Sequence, residues 1–193
     1  MEECSAILVK RTRWSETSLL VTWLTDRFGT LRTSARGALR PRSAFAGRLD
    51  LFHCAEIAFV PARTGSLHAL REVRTTGNGG ISSYRSLVMA SYFAELAAGI
   101  AAPMQPSGEL FGLLARALNH LSSNEPSLRA FDFFEREAAR ISGVLDPSAR
   151  SAPHVALAQL AGRLPASRTT ARALFIGADS ELPAGSSQAA CRT

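Results

Sequence analysis

The sequence holds few cysteines, and those it holds lie far apart. Cys4, Cys54 and Cys191 are the only three in 193 residues, so it shows neither a disulfide framework nor the close spacing of a zinc site. A chain of this length can bury enough apolar surface to fold without such crosslinks. We therefore expect a reducing, cytoplasmic compartment and a fold that needs no metal and no cofactor.

The motifs of common enzyme classes are also lacking. The glycine cluster at 77–80 is not followed by the Lys and Ser or Thr of a phosphate-binding loop, and no serine has the surroundings of a nucleophile elbow. Glu135 and Glu137 flank Arg136 and are expected on a solvated helix face. The histidines are scattered without metal-ligand spacing: His53, His68, His120 and His154. We expect no catalytic residues and a protein that is not an enzyme.

Long hydrophobic runs are missing as well. The most apolar stretch, residues 96–104, has only about half the length of a membrane helix and is interrupted by Gly99 and Pro103. The first residues lack the charged, apolar and small-residue order of a secretory signal. We expect a protein with no membrane partner that works in the cytoplasm, at the nucleoid if its ligand is DNA.

Positive charge, by contrast, is abundant and unevenly placed. The net charge is +6 and the isoelectric point is near 10.2. Residues 1–75 carry twelve Lys and Arg against seven Asp and Glu, whereas residues 76–193 carry ten against nine. The excess in the first part indicates a polyanionic ligand such as a nucleic acid, although a solvated basic surface remains an alternative.

The first 77 residues have the rhythm of short strands ended by turn formers. Five strands in about 75 residues, with an interruption after the third, favour a five-stranded OB-type β-barrel, with an SH3-like barrel as the alternative. The predicted strands are Ser5–Arg13, Ser18–Thr25, Thr30–Arg36, Gly47–Val60 and Leu67–Arg74.

The hydrophobic period becomes helical after the linker at 77–80. Helices are predicted at 84–102, after the N-cap candidates Ser107 and Ser127, and at 152–162 and 166–176. Asp132 and Arg136 are spaced for a surface ion pair. We thus expect an α+β chain with an OB-type barrel at 1–77, an α-helical domain at 81–176 and a disordered tail at 177–193.

One basic group stands out within the predicted barrel. Arg32 and Arg36 alternate with small or apolar residues, which places them on one face of a strand. The strand face and loops of an OB-type barrel are where oligonucleotides bind. Only three aromatic residues, Trp14, Phe28 and Phe45, flank the group in the sequence. Phe28 and Phe45 are expected in the core or at turns, which leaves Trp14 as the one aromatic residue available to a ligand. The predicted DNA-binding residues are Lys10, Arg11, Arg32, Arg36, Arg40 and Arg42.

Many residues in order resemble the RecO family of recombination proteins. The likeness begins with Ala6–Lys10, Ser15–Thr22 and the turn at Phe28 and Gly29. It continues through the following positions: Gly37, Ala38, Arg40, Pro41, Ser43, Phe45, Leu49, Asp50, Phe52, Leu70, Glu72 and Val73. Helical matches are Tyr84–Leu96, Glu109–Phe111 and Leu114.

The resemblance implies a recombination mediator with an OB-type barrel on a helical domain. Such proteins bind single- and double-stranded DNA, anneal complementary strands, and work with RecR and single-stranded-DNA-binding protein to help load RecA. The basic strand residues and the loop at 36–43 would contact DNA. Many members carry a four-cysteine zinc module, which this sequence lacks because no cysteine lies between Cys54 and Cys191. A protein-interaction module and an RNA-binding OB-fold factor are the alternative functions.

Overall fold

The structure, a computed structural model, describes residues 1–77, 80–145 and 152–176. In these ranges five strands precede five helices, so the predicted α+β class is confirmed. The strands are β1 Glu2–Arg13, β2 Leu19–Thr25, β3 Gly29–Ala35, β4 Cys54–Val60 and β5 Leu67–Gly77. The helices are α1 Tyr84–Ile100, α2 Gly108–Ser123, α3 Leu128–Ile141, α4 Pro153–Ala161 and α5 Ser167–Ile176.

The strands close into a barrel in the order β1-β2-β3-β5-β4. All neighbouring pairs are antiparallel except β3 and β5, which run parallel over a short stretch. Strand β1 serves two partners, because Glu2–Ile7 pairs with β4 and Ala6–Arg13 pairs with β2. A bulge between Leu8 and Lys10 lies in this strand, and bulges bend and twist strands in this way. This is the predicted five-stranded barrel.

Large side chains fill the barrel. Trp23 is fully buried, and its indole N–H donates to the Thr33 hydroxyl at 2.9 Å. Phe59 is also fully buried, and Phe28 meets its ring edge-on at 5.3 Å. Phe28 and Phe45 pack against the barrel core, as expected for core or turn anchors.

The predicted strand from Gly47 to Val60 is wrong in its first half, because β4 begins only at Cys54. Residues 37–48 form successive turns with hydrogen bonds three residues apart. Phe52 then adopts a left-handed backbone with φ of 67°, which no strand residue has. Its N–H donates to the Leu8 carbonyl at 2.8 Å, while its side chain packs with the helices. The backbone here thus bonds to β1 outside a regular strand, while the Phe52 side chain is buried against the helices.

The predicted helices are confirmed, with one exception in their capping. Ser127 caps α3, since its hydroxyl accepts from the Ala130 N–H at 3.2 Å. Ser107 precedes α2 but makes no such bond; its hydroxyl donates to the Thr25 carbonyl of the barrel at 2.9 Å. The expected ion pair of Asp132 with Arg136 is also wrong, because Asp132 lies 4.0 Å from Arg172 of α5.

Glu135 does not lie on a solvated face. Its side chain is 4% exposed, and both carboxylate oxygens accept from the Arg168 guanidinium, at 2.7 and 3.1 Å. The Tyr92 hydroxyl donates to the same carboxylate at 2.5 Å. Burial and this carboxylate raise the pKa of Tyr92 far above its usual range. The network ties α1, α3 and α5 together.

The turn between β2 and β3 is clamped by the connection between α1 and α2. Met104 N–H donates to the Phe28 carbonyl at 2.8 Å, and Ser107 N–H donates to the Asp26 carbonyl at 3.0 Å. Gly29 has φ of +57°, and a Cβ built there would lie 2.0 Å from the Ala102 carbonyl oxygen. Only glycine fits at this close approach.

Barrel and helices share a hydrophobic core. Ile7, Val9, Leu24 and Phe52 belong to the same buried cluster as the inner faces of α1, α2 and α3. The division into 1–77 and 81–176 remains a prediction. Residues 78 and 79 of the linker and the predicted disordered tail at 177–193 lie outside the described residues.

Candidate nucleic-acid interface

Three neighbouring strands place two predicted DNA-binding residues in one row. Lys10 of β1 is paired with Thr22 of β2, and Thr22 is paired with Arg32 of β3. Directly paired residues project from the same side of a sheet. Lys10 and Arg32 are both exposed, so this row lies on the outer side of the barrel with a cation at each end.

A second row lies at the end of these strands. The backbone N–H of Trp14 donates to the Ser18 carbonyl at 3.0 Å, which continues the β1–β2 ladder beyond Arg13. Because side chains alternate along a strand, Trp14 lies on the same side as Lys10. Arg36 directly follows β3, and the next residue, Gly37, donates its N–H to the Ser18 hydroxyl at 3.4 Å. Trp14 and Arg36 thus flank Ser18.

The turns after β3 add two more cations. Leu39 N–H donates to the Thr17 carbonyl at 3.0 Å, so these turns begin beside the β1–β2 turn. Arg40 folds back over Gly37, since a Cβ built at Gly37 would lie 3.5 Å from the Arg40 Cδ. Arg42 is exposed two residues further on. We call Lys10, Arg32, Arg36 and Arg40 the basic face, together with Trp14 at its end.

The cations of the basic face have no acidic partner among the residues that the structure describes. Within residues 1–77, 80–145 and 152–176, none of its four cations forms an ion pair or donates a side-chain hydrogen bond, and the same holds for Arg42. A polyanion therefore need not displace a carboxylate to reach them. Their potentials add, because they lie on connected strands and turns.

Arg11 is the predicted residue that the structure separates from the others. It lies on the opposite side of β1 from Lys10 and is paired with Val21, which faces the barrel core. Its guanidinium donates to the Leu49 carbonyl at 2.6 Å and lies 3.0 Å from the Asp50 carboxylate. Arg11 thus holds the turns before β4 in place, with its charge compensated.

Arg63 is a candidate that the sequence reasoning missed. It is exposed in the loop between β4 and β5, and β5 begins at Leu67, the partner of Arg32. The loop is fastened by His68, whose Nδ1 accepts from the Ala62 N–H at 3.1 Å. Burial lowers the pKa of His68, which keeps the ring neutral and able to accept. The sequence could have indicated Arg63, because the loop between the fourth and fifth strands of OB-folds binds oligonucleotides.

The barrel side formed by β1, β4 and β5 has a different character. Glu3, Glu56 and Glu72 line a cavity of about 780 Å³ there, together with Arg48, Arg71 and Arg74. Arg74 is paired with Glu56 at 2.8 Å. Because carboxylates are mixed with the guanidiniums, this side repels a polyanion more than the basic face does.

The described parts of the chain show neither a metal site nor a membrane-spanning helix. No group of three or more His, Cys, Asp and Glu residues there is arranged to hold a metal ion. Burial raises the pKa of Cys4 to about 12, so this thiol stays protonated and unreactive. Among the helices described, none is long and apolar enough to span a membrane.

The chain is similar to known recombination proteins along most of its length. Residues 1–78 match the family described as Recombination protein O N terminal, and residues 81–145 match Recombination protein O C terminal. A DNA repair protein RecO from Cyanothece sp. is 37% identical over 124 residues, covering 63% of this chain and 42% of that protein. RecO from Anaeromyxobacter sp. (strain K) is 33% identical over 154 residues, covering 76% and 59%. The chain thus spans about half the length of these curated relatives.

Proposed function

The chain belongs to the RecO family of DNA repair and recombination proteins, and from this premise we propose that it is a non-catalytic recombination mediator that binds DNA on its basic face. It binds single- and double-stranded DNA, anneals complementary strands, and assists RecA loading together with RecR and single-stranded-DNA-binding protein. It acts on the nucleoid in the cytoplasm. The barrel at 1–77 is the DNA-binding unit and the helices at 81–176 form the second domain.

The observation that supports this proposal most strongly is that the cations of the basic face form no ion pair with any residue that the structure describes. Lys10 and Arg32 end one row across three strands, and Arg36 lies beside Ser18 at the end of these strands. Cations on connected strands and turns can contact phosphates of one bound DNA strand. Phosphate contacts position DNA without reading its sequence, so sequence preference should be slight.

The test is a salt series of binding to a labelled single strand. Neutralised phosphates release counterions, so the logarithm of affinity should fall linearly with the logarithm of salt concentration, by about 0.7 for each single-strand phosphate contacted. We expect a slope that corresponds to three or more phosphate contacts. Absence of binding at low salt, or a slope near zero, would refute the proposal. Competition with RNA of equal length and sequence separates a DNA-binding protein from an RNA-binding OB-fold factor.

A groove in the helical domain favours a second function, the docking of a protein. Between α2 and α3 a groove of about 500 Å³ has an apolar floor that includes Leu113 and Phe134. Phe133 at its edge is 58% exposed, while Arg116 and Arg129 also line it. An apolar floor with cations beside it suits an acidic protein segment that carries an apolar side chain.

Purified RecR and single-stranded-DNA-binding protein are the partners with which to test the groove. The double variant Phe133→Ser and Arg129→Glu should weaken the binding of one of them and leave DNA affinity unchanged. Replacing Arg163 by Glu, which inverts an exposed cation outside the groove, is the matched control. Equal effects of the two variants on both partners would assign the groove no docking role.

A further inference from the structure

The two tryptophans of the chain lie in opposite environments. Trp23 is fully buried, with its N–H bonded to Thr33. Trp14 is 50% exposed, and no aromatic ring or guanidinium of the described residues stacks on it. An indole ring left in water forgoes the hydrophobic free energy that burial supplies. This makes Trp14 an uncovered apolar platform within a positively charged surface.

The backbone around Trp14 is held firmly. Arg13 donates from Nε to the Ser15 carbonyl at 3.2 Å, and Ser15 N–H donates to the Ser18 carbonyl at 3.3 Å. The bond from Leu39 to Thr17 ties the same turn to the chain after β3. A ligand that binds here therefore orders little backbone, which keeps the entropic cost of binding low.

Trp14 also has a defined position relative to the cations. Trp14 lies four positions after Lys10 and directly follows β1, which corresponds to about 13 Å along an extended chain. Arg36 lies across Ser18 from it. An aromatic platform beside phosphate-binding cations is the arrangement by which proteins hold single-stranded nucleic acids, because every base has a flat face that can stack.

We propose that Trp14 is a stacking platform for an unpaired base of a DNA strand whose phosphates lie along Lys10, Arg32 and Arg36. The inference rests on the proposed function and extends it to strand selectivity. In duplex DNA both faces of each internal base are already stacked, so the ring gains little from a paired strand. Trp14 thus gives the basic face a preference for unpaired over paired DNA.

The experiment compares the intact chain with Trp14→Ala and Trp14→Phe on three labelled ligands of equal length. The ligands are a single strand, a duplex, and an abasic strand that keeps the phosphates but lacks bases. We expect Trp14→Ala to weaken single-strand binding about 5- to 150-fold while its duplex and abasic binding change by less than about threefold. Trp14→Phe, which keeps an aromatic ring, should restore most of the single-strand affinity.

Intrinsic fluorescence gives a second readout. Addition of the single strand should quench the emission of the intact chain, and the quench should disappear in Trp14→Phe, where only buried Trp23 still emits. Equal weakening of all three ligands in Trp14→Ala, or a quench that persists in Trp14→Phe, would overturn the inference. If the intact chain binds none of the ligands, the proposed function itself fails. If it binds the single strand and Trp14→Ala binds it equally well, only the stacking role fails.

Discussion

Two outer surfaces of the same barrel differ in what they do with their side chains. On one, Ile7, Val9 and Leu24 are buried against the helices, and backbone groups of the β2–β3 turn are hydrogen-bonded to the α1–α2 connection. On the other, the basic face leaves its cations and Trp14 exposed without side-chain partners among the described residues. Burial and satisfied backbone groups stabilise folds, whereas exposed charges contribute little.

Stability and binding should therefore separate between the two surfaces. A change at the helix-covered surface should lower the free energy of unfolding. A change at the basic face should leave that free energy nearly constant and alter the affinity for DNA.

The largest effect is expected from Gly29→Ala. The new methyl group would meet the Ala102 carbonyl at 2.0 Å, and the residue would keep a φ of +57°. Overpacking and left-handed strain together should cost about 2–5 kcal/mol of unfolding free energy, measured by urea denaturation. Gly47→Ala is the matched control, because Gly47 has φ of +70° with nothing within 4 Å of the built Cβ. If Gly29→Ala lowers the free energy of unfolding no more than Gly47→Ala does, the α1–α2 connection can move to accommodate the methyl group.

On the basic face, Arg36→Ala with Arg40→Ala should act on affinity and not on stability. Removal of two phosphate contacts should flatten the salt dependence of single-strand binding by about 1.4 in the logarithmic slope. Arg71→Ala with Arg74→Ala removes the same charge from the other side of the barrel, where both side chains line the mixed-charge cavity. If both pairs reduce the slope equally, net charge rather than the basic face governs binding.

Lys10 and Arg11 are adjacent in β1 but lie on opposite sides of the strand, so their variants should have different effects. Lys10→Ala should lower the salt slope by about 0.7 and leave stability unchanged. Arg11→Ala should leave the slope nearly unchanged and cost about 1 kcal/mol or less, because its bonds to Leu49 and Asp50 are half exposed. Salt titration and urea denaturation of both variants are the measurements. The reverse pattern would place DNA on the opposite side of β1.

The strand count and the helices were predictable because they depend on local patterns. Alternation along β3 was enough to put Arg32 and Arg36 on one side. Three features were not predictable, because each depends on a distant partner. Glu135 is buried by Arg168, 33 residues away, and Arg11 is neutralised by Asp50. The start of β4 depends on Phe52, whose left-handed backbone is stabilised by packing on helices.

The smallest effect concerns pH and the loop that carries Arg63. Burial lowers the pKa of His68 in the folded protein, whereas the unfolded chain should titrate near about 6.5. Below that pH the unfolded state binds more protons than the folded state, so stability falls as pH decreases toward the folded-state pKa and is fully present above 6.5. Protonation would also remove the acceptor for Ala62 N–H.

His68→Gln should therefore be less stable than the parent above pH 6.5 and should lose less stability on acidification to about pH 5. His120→Gln is the control, because that ring is exposed. Urea denaturation at both pH values measures the difference. An unchanged pH dependence in His68→Gln would mean that other groups cause the acid sensitivity. His68 supports the loop next to Arg32 and not the helix-covered surface, so acidification should loosen this loop.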